Sequence, residues 1–158
     1  MTKGEVKALA EYFGQRIPAG RIKERDTRIA IVRLYGSLAV ANKATMDEIE
    51  EIRKAVVGDN DKDIRTWAGL VQKSGDAKLT DAERKAAKAE ADAMTDCVRI
   101  DKDYTEAVGK LLAEPCEAEV RKVSLEVLYE ALADCSFPNL SEDIPLAAVE
   151  AMFAAVIA

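Results

Sequence analysis

Apolar residues return every three or four positions along most of this chain, the spacing that gathers them on one face of an α-helix. Val6, Leu9, Ala10 and Phe13 do so behind Thr2 and Glu5, a capping-box pair that satisfies free N–H groups at a helix start. Gly14 and the Ile17-Pro18-Ala19-Gly20 stretch predict the end of that helix. A second helix is expected over about 24–41, with Ile29, Val32, Leu34, Tyr35 and Leu38 on its buried side. Asn42-Lys43-Ala44 predicts a loop, and Thr45 with Glu48 a second capping box. Ile49, Ile52, Val56 and Val57 then carry a third helix to Gly58, a natural residue for the turn after a helix.

Ile64, Trp67, Leu70 and Val71 mark a fourth helix that stops at Ser74-Gly75, and Thr80 with Glu83 is a third capping box. Beyond it, Ala86, Ala89, Ala93, Cys97, Ile100, Tyr104, Ala107 and Leu111 form a stripe in steps of three and four. Two readings stand here. One is a single long helix to about Ala113; the other breaks it at Asp101-Lys102-Asp103, because Asp favours caps over helix interiors. Glu114-Pro115 ends the segment. A helix from about Cys116 to Asp134 is expected to carry Val120, Val123, Leu125, Leu128 and Leu132. Phe137-Pro138-Asn139 reads as loop. Ser141 or Asp143 would cap a last helix, with Pro145 in its first turn and Leu146, Val149, Phe153 and Val156 buried.

The chain echoes itself. Leu34-Tyr35-Gly36-Ser37-Leu38-Ala39 returns as Leu128-Tyr129-Glu130-Ala131-Leu132-Ala133. Each copy precedes a polar stretch, an acidic helix-start signal and another apolar helix. The expected fold is therefore all-α: a compact orthogonal bundle of about seven helices with two pseudo-symmetric helix–loop–helix units, in one domain spanning 1–158.

Composition narrows the function classes. Hydrophobic residues make up 49% and charged residues 33%, a folded rather than a disordered balance. Aromatics at 5% imply an aliphatic core. No apolar run approaches the roughly 20 residues that span a bilayer, and the charged start Met1–Glu5 lacks a secretion signal's apolar stretch. Cys97, Cys116 and Cys135 lack CxxC spacing and are expected as free, mostly buried thiols. A cytoplasmic protein without membrane contact is the expectation. The net charge of −6 favours solubility and opposes nucleic-acid binding. Histidine is absent, which excludes Ser-His-Asp and Cys-His catalysis and every His-containing zinc site. A non-enzyme without a cofactor is expected.

Four constellations remain. Asp59-Asn60-Asp61-Lys62-Asp63 opens like a calcium loop, but Ile64 and Leu70 stand where the loop needs Gly and Glu, so an Asp-rich helix start is the reading. The spacing of Arg21, Arg25 and Arg28 puts them near one face of the second helix; they are either a docking patch for an acidic partner or a solvated face. Asp47, Glu48, Glu142 and Asp143 occupy corresponding places in the echoed units. They are a candidate divalent-metal set or simply helix-start charge. The Ala-rich run Ala82–Ala93 either packs closely on a partner helix, permitting a homodimer, or is a lightly packed helix end.

At the two echoed units the chain resembles the tellurite-resistance TerB-like fold, an all-helical family of about this length with two pseudo-symmetric helix–loop–helix halves. The matching stretches are Leu38-Ala39-Val40-Ala41-Asn42-Lys43-Ala44-Thr45-Met46-Asp47-Glu48 and Leu132–Asp143. The resemblance implies divalent-metal binding through loop carboxylates, onto which Asp47 or Glu48 and Glu142 or Asp143 map. The family's Asp-Gly pair is missing: Lys43-Ala44 and Ser136-Phe137-Pro138 stand in its place. The leading expectation is a protein-interaction or scaffold module that binds another protein. A metal-responsive TerB-like protein and an acidic, immunity-type inhibitor of a basic partner are the alternatives.

Overall fold

Helix α1 (Lys3–Arg16) begins with the capping box read from the sequence: Glu5 N–H donates to Thr2 Oγ1 at 3.2 Å, and Thr2 N–H to Glu5 Oε2 at 2.7 Å. The computed structural model describes residues 1–135 and 146–158. Gly14 does not end α1, which continues through it to Arg16. Val6, Ala10 and Phe13 are its buried row. Pro18 and a single 3-10 turn (Ala19–Arg21) lead to helix α2 (Arg25–Val57).

Helix α2 departs most from the sequence reading. It runs unbroken through Asn42-Lys43-Ala44, where a loop was expected, so the first echoed unit is one helix. Thr45 is no cap. It is 1% exposed, and its hydroxyl donates to Ala41 O, 3.4 Å away, one turn back. The cause is the row of buried positions. Thr27, Ile31, Leu34, Leu38, Ala41 and Thr45 follow one another in steps of four and three, across the supposed loop and without slip. No Pro or Gly lies in 42–44, and Lys and Ala are good helix formers. The buried face is also rotated from the expected one: Val32 is 51% and Tyr35 40% exposed, and Ile31 lies inside instead. Gly58, at φ +51°, ends the helix as foreseen.

The chain divides into two compact units, Met1–Met46 with Leu112–Ala158, and Asp47–Leu111. In the second unit lie helices α3 (Asp61–Ser74) and α4 (Asp81–Ala93), packed on each other, and most of α5 (Thr95–Ala113). The Thr80–Glu83 capping box forms, with Glu83 N–H donating to Thr80 Oγ1 at 3.3 Å. The long-helix reading and the break at Asp101–Asp103 are both corrected. The break falls at Met94 (ψ 62°), whose N–H turns back to Ala91 O. On α4 the buried row is Ala87 and Ala91, while Ala86, Ala89 and Ala93 are exposed. An alanine run is equally apolar on several faces, so contact with α3 selects the row. Cys97, Ile100 and Leu111 are buried on α5, as the stripe predicts.

In the first unit the helix expected from about Cys116 is confined to α6 (Leu125–Cys135). Residues 116–124 are irregular because the chain ends take their backbone groups. Cys116 N–H donates to Met1 O, Val123 N–H to Val156 O, and Ala158 N–H to Val123 O, at 2.9, 3.0 and 2.9 Å. Isolated β-bridges join Thr2 to Pro115 and Val123 to Ile157. Helix α7 (Leu146–Phe153) follows, with Val149 and Phe153 buried. The expected loop at Phe137–Asn139 and the caps Ser141 and Asp143 lie outside the described residues. The echo has a plain structural meaning: Leu34 and Leu38, Leu128 and Leu132 are all 0–1% exposed and belong to one core. Tyr12, Phe13 and Phe153 pack edge-to-face beside them, with centroids 5.3–6.2 Å apart. Every regular element among the described residues is helical, and no helix there is long and apolar enough to cross a membrane.

Candidate functional site

The three candidate arginines do not share a helix face. Arg21 lies in the 3-10 turn ahead of α2, and its Nη1 donates to Cys135 O at 3.5 Å. Arg28 folds back along the chain: its Nε and Nη2 donate to Ile22 O at 3.0 and 2.6 Å. That carbonyl precedes the helix and would otherwise lack a helical partner, so Arg28 closes the turn. Arg25 is exposed at the first position of α2. Arg21 and Arg28 are thus each engaged with a backbone carbonyl, Arg21 with a distant one on α6 and Arg28 with a local one.

Around them the N-terminal end of α2 is tied to α6. Lys23 N–H donates to Asp134 Oδ2 at 2.9 Å, with the Lys23 ammonium 3.0 Å from Oδ1. Buried Thr27 donates to Glu130 Oε2 at 2.5 Å. The hydrogen bonds from Lys23, backbone first and ammonium second, hold the Asp134 carboxyl below its ordinary value of 3.8. A carboxyl lowered on folding stabilises the fold above its ordinary value, and that contribution drains away as pH falls through the folded one. Asp134→Asn is therefore expected to lower stability at neutral pH, and to differ less from the parent at pH 3, below the carboxyl's ordinary value. Urea titrations at the two pH values check this; an equal gap at both would refute the role.

Neighbouring Cys135 is half-buried, its Sγ 3.6 Å from Pro18 O. Burial pushes its thiol up, with Asp134 adding to the rise and Arg21 opposing it. Burial does the same to Cys97. All three cysteines are free thiols, and the raised pair are poor nucleophiles at neutral pH.

The acidic candidates meet only in part. Asp47, Glu48 and Glu51 line an open cleft of about 480 Å³ within the second unit, floored by Ile52 and Leu111. They lie inside α2 rather than at a helix start, so the macrodipole reason for their charge does not apply. Glu142 and Asp143 lie outside the described residues. No three Asp, Glu, Cys or His side chains among the described residues stand close enough together to hold a metal ion. In the calcium-like stretch, Asp61 pairs with Arg53 and Arg65, and Asn60 Nδ2 donates to Val57 O at 3.1 Å. These contacts fit the helix-start reading.

The feature the sequence reading missed is the outward face of α2 in the first unit. Val32, Tyr35, Val40 and Met46 are 51, 40, 73 and 43% exposed. Exposed Arg25, Arg33 and Lys43 accompany them. A signal was present: Thr27–Met46 contains no acidic residue in a chain that has 29. Solvated helix faces normally mix both signs, and an acid-free apolar one is kept for another purpose. No protein-family model, no curated protein and no solved structure matches this chain.

Proposed function

We propose that this chain is a non-enzymatic protein-interaction module that works through the outward face of α2. The observation that carries the reading is the exposed apolar row from Val32 to Met46, accompanied by exposed Arg33 and Lys43 within a stretch, Thr27–Met46, that has no carboxylate. Apolar contact supplies affinity at such a surface, and the cations select an acidic counterpart and steer its approach. Arg25→Glu with Arg33→Glu is expected to remove the partners captured from source lysate by the parent protein. Helical circular dichroism should be unchanged, because neither side chain is buried. An unaltered capture profile would sink the reading. Capture of a basic partner, lost with rising salt, would favour the inhibitor alternative.

The carboxylate-lined cleft supports a second reading, a divalent-cation-responsive protein of TerB-like kind using Asp47 and Glu48. A ligand bound only by the folded state adds about 2.7 kcal/mol of stability at a hundredfold excess over its dissociation constant. Thermal unfolding with Ca²⁺, Mg²⁺, Mn²⁺ and Zn²⁺ would show this as a raised midpoint, lost on Asp47→Asn with Glu48→Gln. No shift with any of the four removes it.

A further inference from the structure

Beside α2, within the first unit, lies an open cleft of about 780 Å³ lined by Ser37, Glu119, Val120, Arg121 and Lys122. One wall is α2 and the other is the irregular 116–124 segment. Ser37 fastens the two together. Its hydroxyl donates to Leu34 O at 2.7 Å and accepts the Arg121 N–H at 3.0 Å. The second copy of the echo has Ala131, fully buried, where Ser37 would recur, so the hydroxyl is no part of the repeated core pattern. Arg33 and Val40 stand one turn before and one turn after Ser37, within about 60° of it around the helix at 3.6 residues per turn. Both are exposed, so the cleft adjoins the outward face of α2.

The charge around this cleft is unbalanced. Arg33, Arg121 and Lys122 are exposed and make no ion pair among the described residues. Glu119 is the one carboxylate among the described residues of the lining. Elsewhere in this chain, which has 29 acidic and 23 basic side chains, Arg53, Arg65, Lys88 and Lys110 have all found carboxylates. Three unpaired cations about one concavity of an acidic protein are positive charge left for a ligand to neutralise.

Two observations point to polypeptide as that ligand. Pockets for small molecules are mostly apolar and enclosing, whereas Val120 alone is apolar among the described residues lining this open cleft. The apolar contact lies outside it, on Val40 and Val32, and only a longer ligand reaches both. Residues 117–122 also make no backbone–backbone hydrogen bond among the described residues, which leaves donors and acceptors for an extended chain laid alongside.

We infer that the cleft and the adjoining face of α2 bind an extended acidic segment of a partner protein. Its carboxylates face Arg33, Arg121 and Lys122, and its apolar side chains rest on Val40 and Val32. This inference rests on the reading of the outward face of α2 as an interaction surface, and it names the site and the partner's chemistry.

Panning a display library of random short peptides on the full chain is the test. Selected sequences are expected to be rich in Asp and Glu with apolar residues between them. A selected, labelled peptide followed by fluorescence anisotropy should bind less tightly as salt rises. Arg121→Glu with Lys122→Glu should weaken it by about tenfold or more, and so should Val40→Asp. These side chains are exposed, so helical circular dichroism should be unchanged. Lys102→Glu, the same charge change on exposed α5 of the second unit, should leave the affinity as it was. No selection, selection without acidic enrichment, a peptide indifferent to either variant, or an equal loss with Lys102→Glu would each overturn the inference. If lysate capture still depends on Arg25 and Arg33 while no acidic peptide binds, the interaction reading stands and this site alone falls.

Discussion

Lys43→Pro is expected to destabilise the protein by about 3 kcal/mol or more, although Lys43 is exposed and lies in a stretch that reads as loop. The argument is about backbone. Inside α2 the Lys43 N–H serves the Ala39 carbonyl in the helical ladder, and the proline ring would both remove that bond and press on the same carbonyl. A loop at 42–44 would absorb the substitution within about 1 kcal/mol, and proline in a compatible turn can even stabilise through the unfolded state. Lys43→Ala is the control and should be within about 0.5 kcal/mol of the parent, as surface substitutions usually are. Urea unfolding of the three proteins decides between helix and loop. A neutral Lys43→Pro would mean that α2 is two helices.

The second large effect concerns the echo. Leu34→Ala and Leu128→Ala are each expected to cost about 2–5 kcal/mol, the range for truncating a fully buried leucine. Both side chains are 0% exposed in the same cluster, so neither can be relieved by turning to solvent. Tyr35, the echo-copy residue beside Leu34 and 40% exposed, should lose less than either leucine when changed to Ala. Equal, large losses at Leu34 and Leu128 would establish that the repeated motif is a core signature shared by α2 and α6. A loss below about 1 kcal/mol at either leucine would contradict its burial.

Local chemistry was legible at two of the three capping patterns. Thr2 with Glu5 and Thr80 with Glu83 form the expected capping boxes, because both partners lie within three residues and need no tertiary help. Thr45 with Glu48 has the same pattern and forms none. Its difference from the other two lies upstream: an uninterrupted apolar row reaches it from Thr27, and burial of that row outweighs about 1 kcal/mol of capping. The candidate arginines separated for a similar reason. Sequence spacing put Arg21, Arg25 and Arg28 near one face of the second helix, whereas Pro18 and the 3-10 turn place Arg21 outside it. Arg28 then found backbone carbonyls that no sequence pattern advertises.

What the chain determined by itself is its class and its punctuation. Heptad-like spacing, capping pairs, Gly58 and Pro115 are short-range signals, and they suffice for an all-helical protein with a repeated Leu-x-x-x-Leu core motif. The tertiary structure alone decided which helix face is inside. On α2, apolar residues occupy two opposite sides, so hydrophobicity could not choose between Ile31 and Val32; packing against α1 and α6 chose Ile31 and left Val32 and Val40 outside. On α4, alanines lie all round, and contact with α3 chose Ala87 and Ala91. Residues 116–124 have helical spacing but pair with the chain ends, whose backbone groups are remote in sequence. In each case the deciding partner is far along the chain, and the free energy of burial against it exceeds any preference the segment has alone.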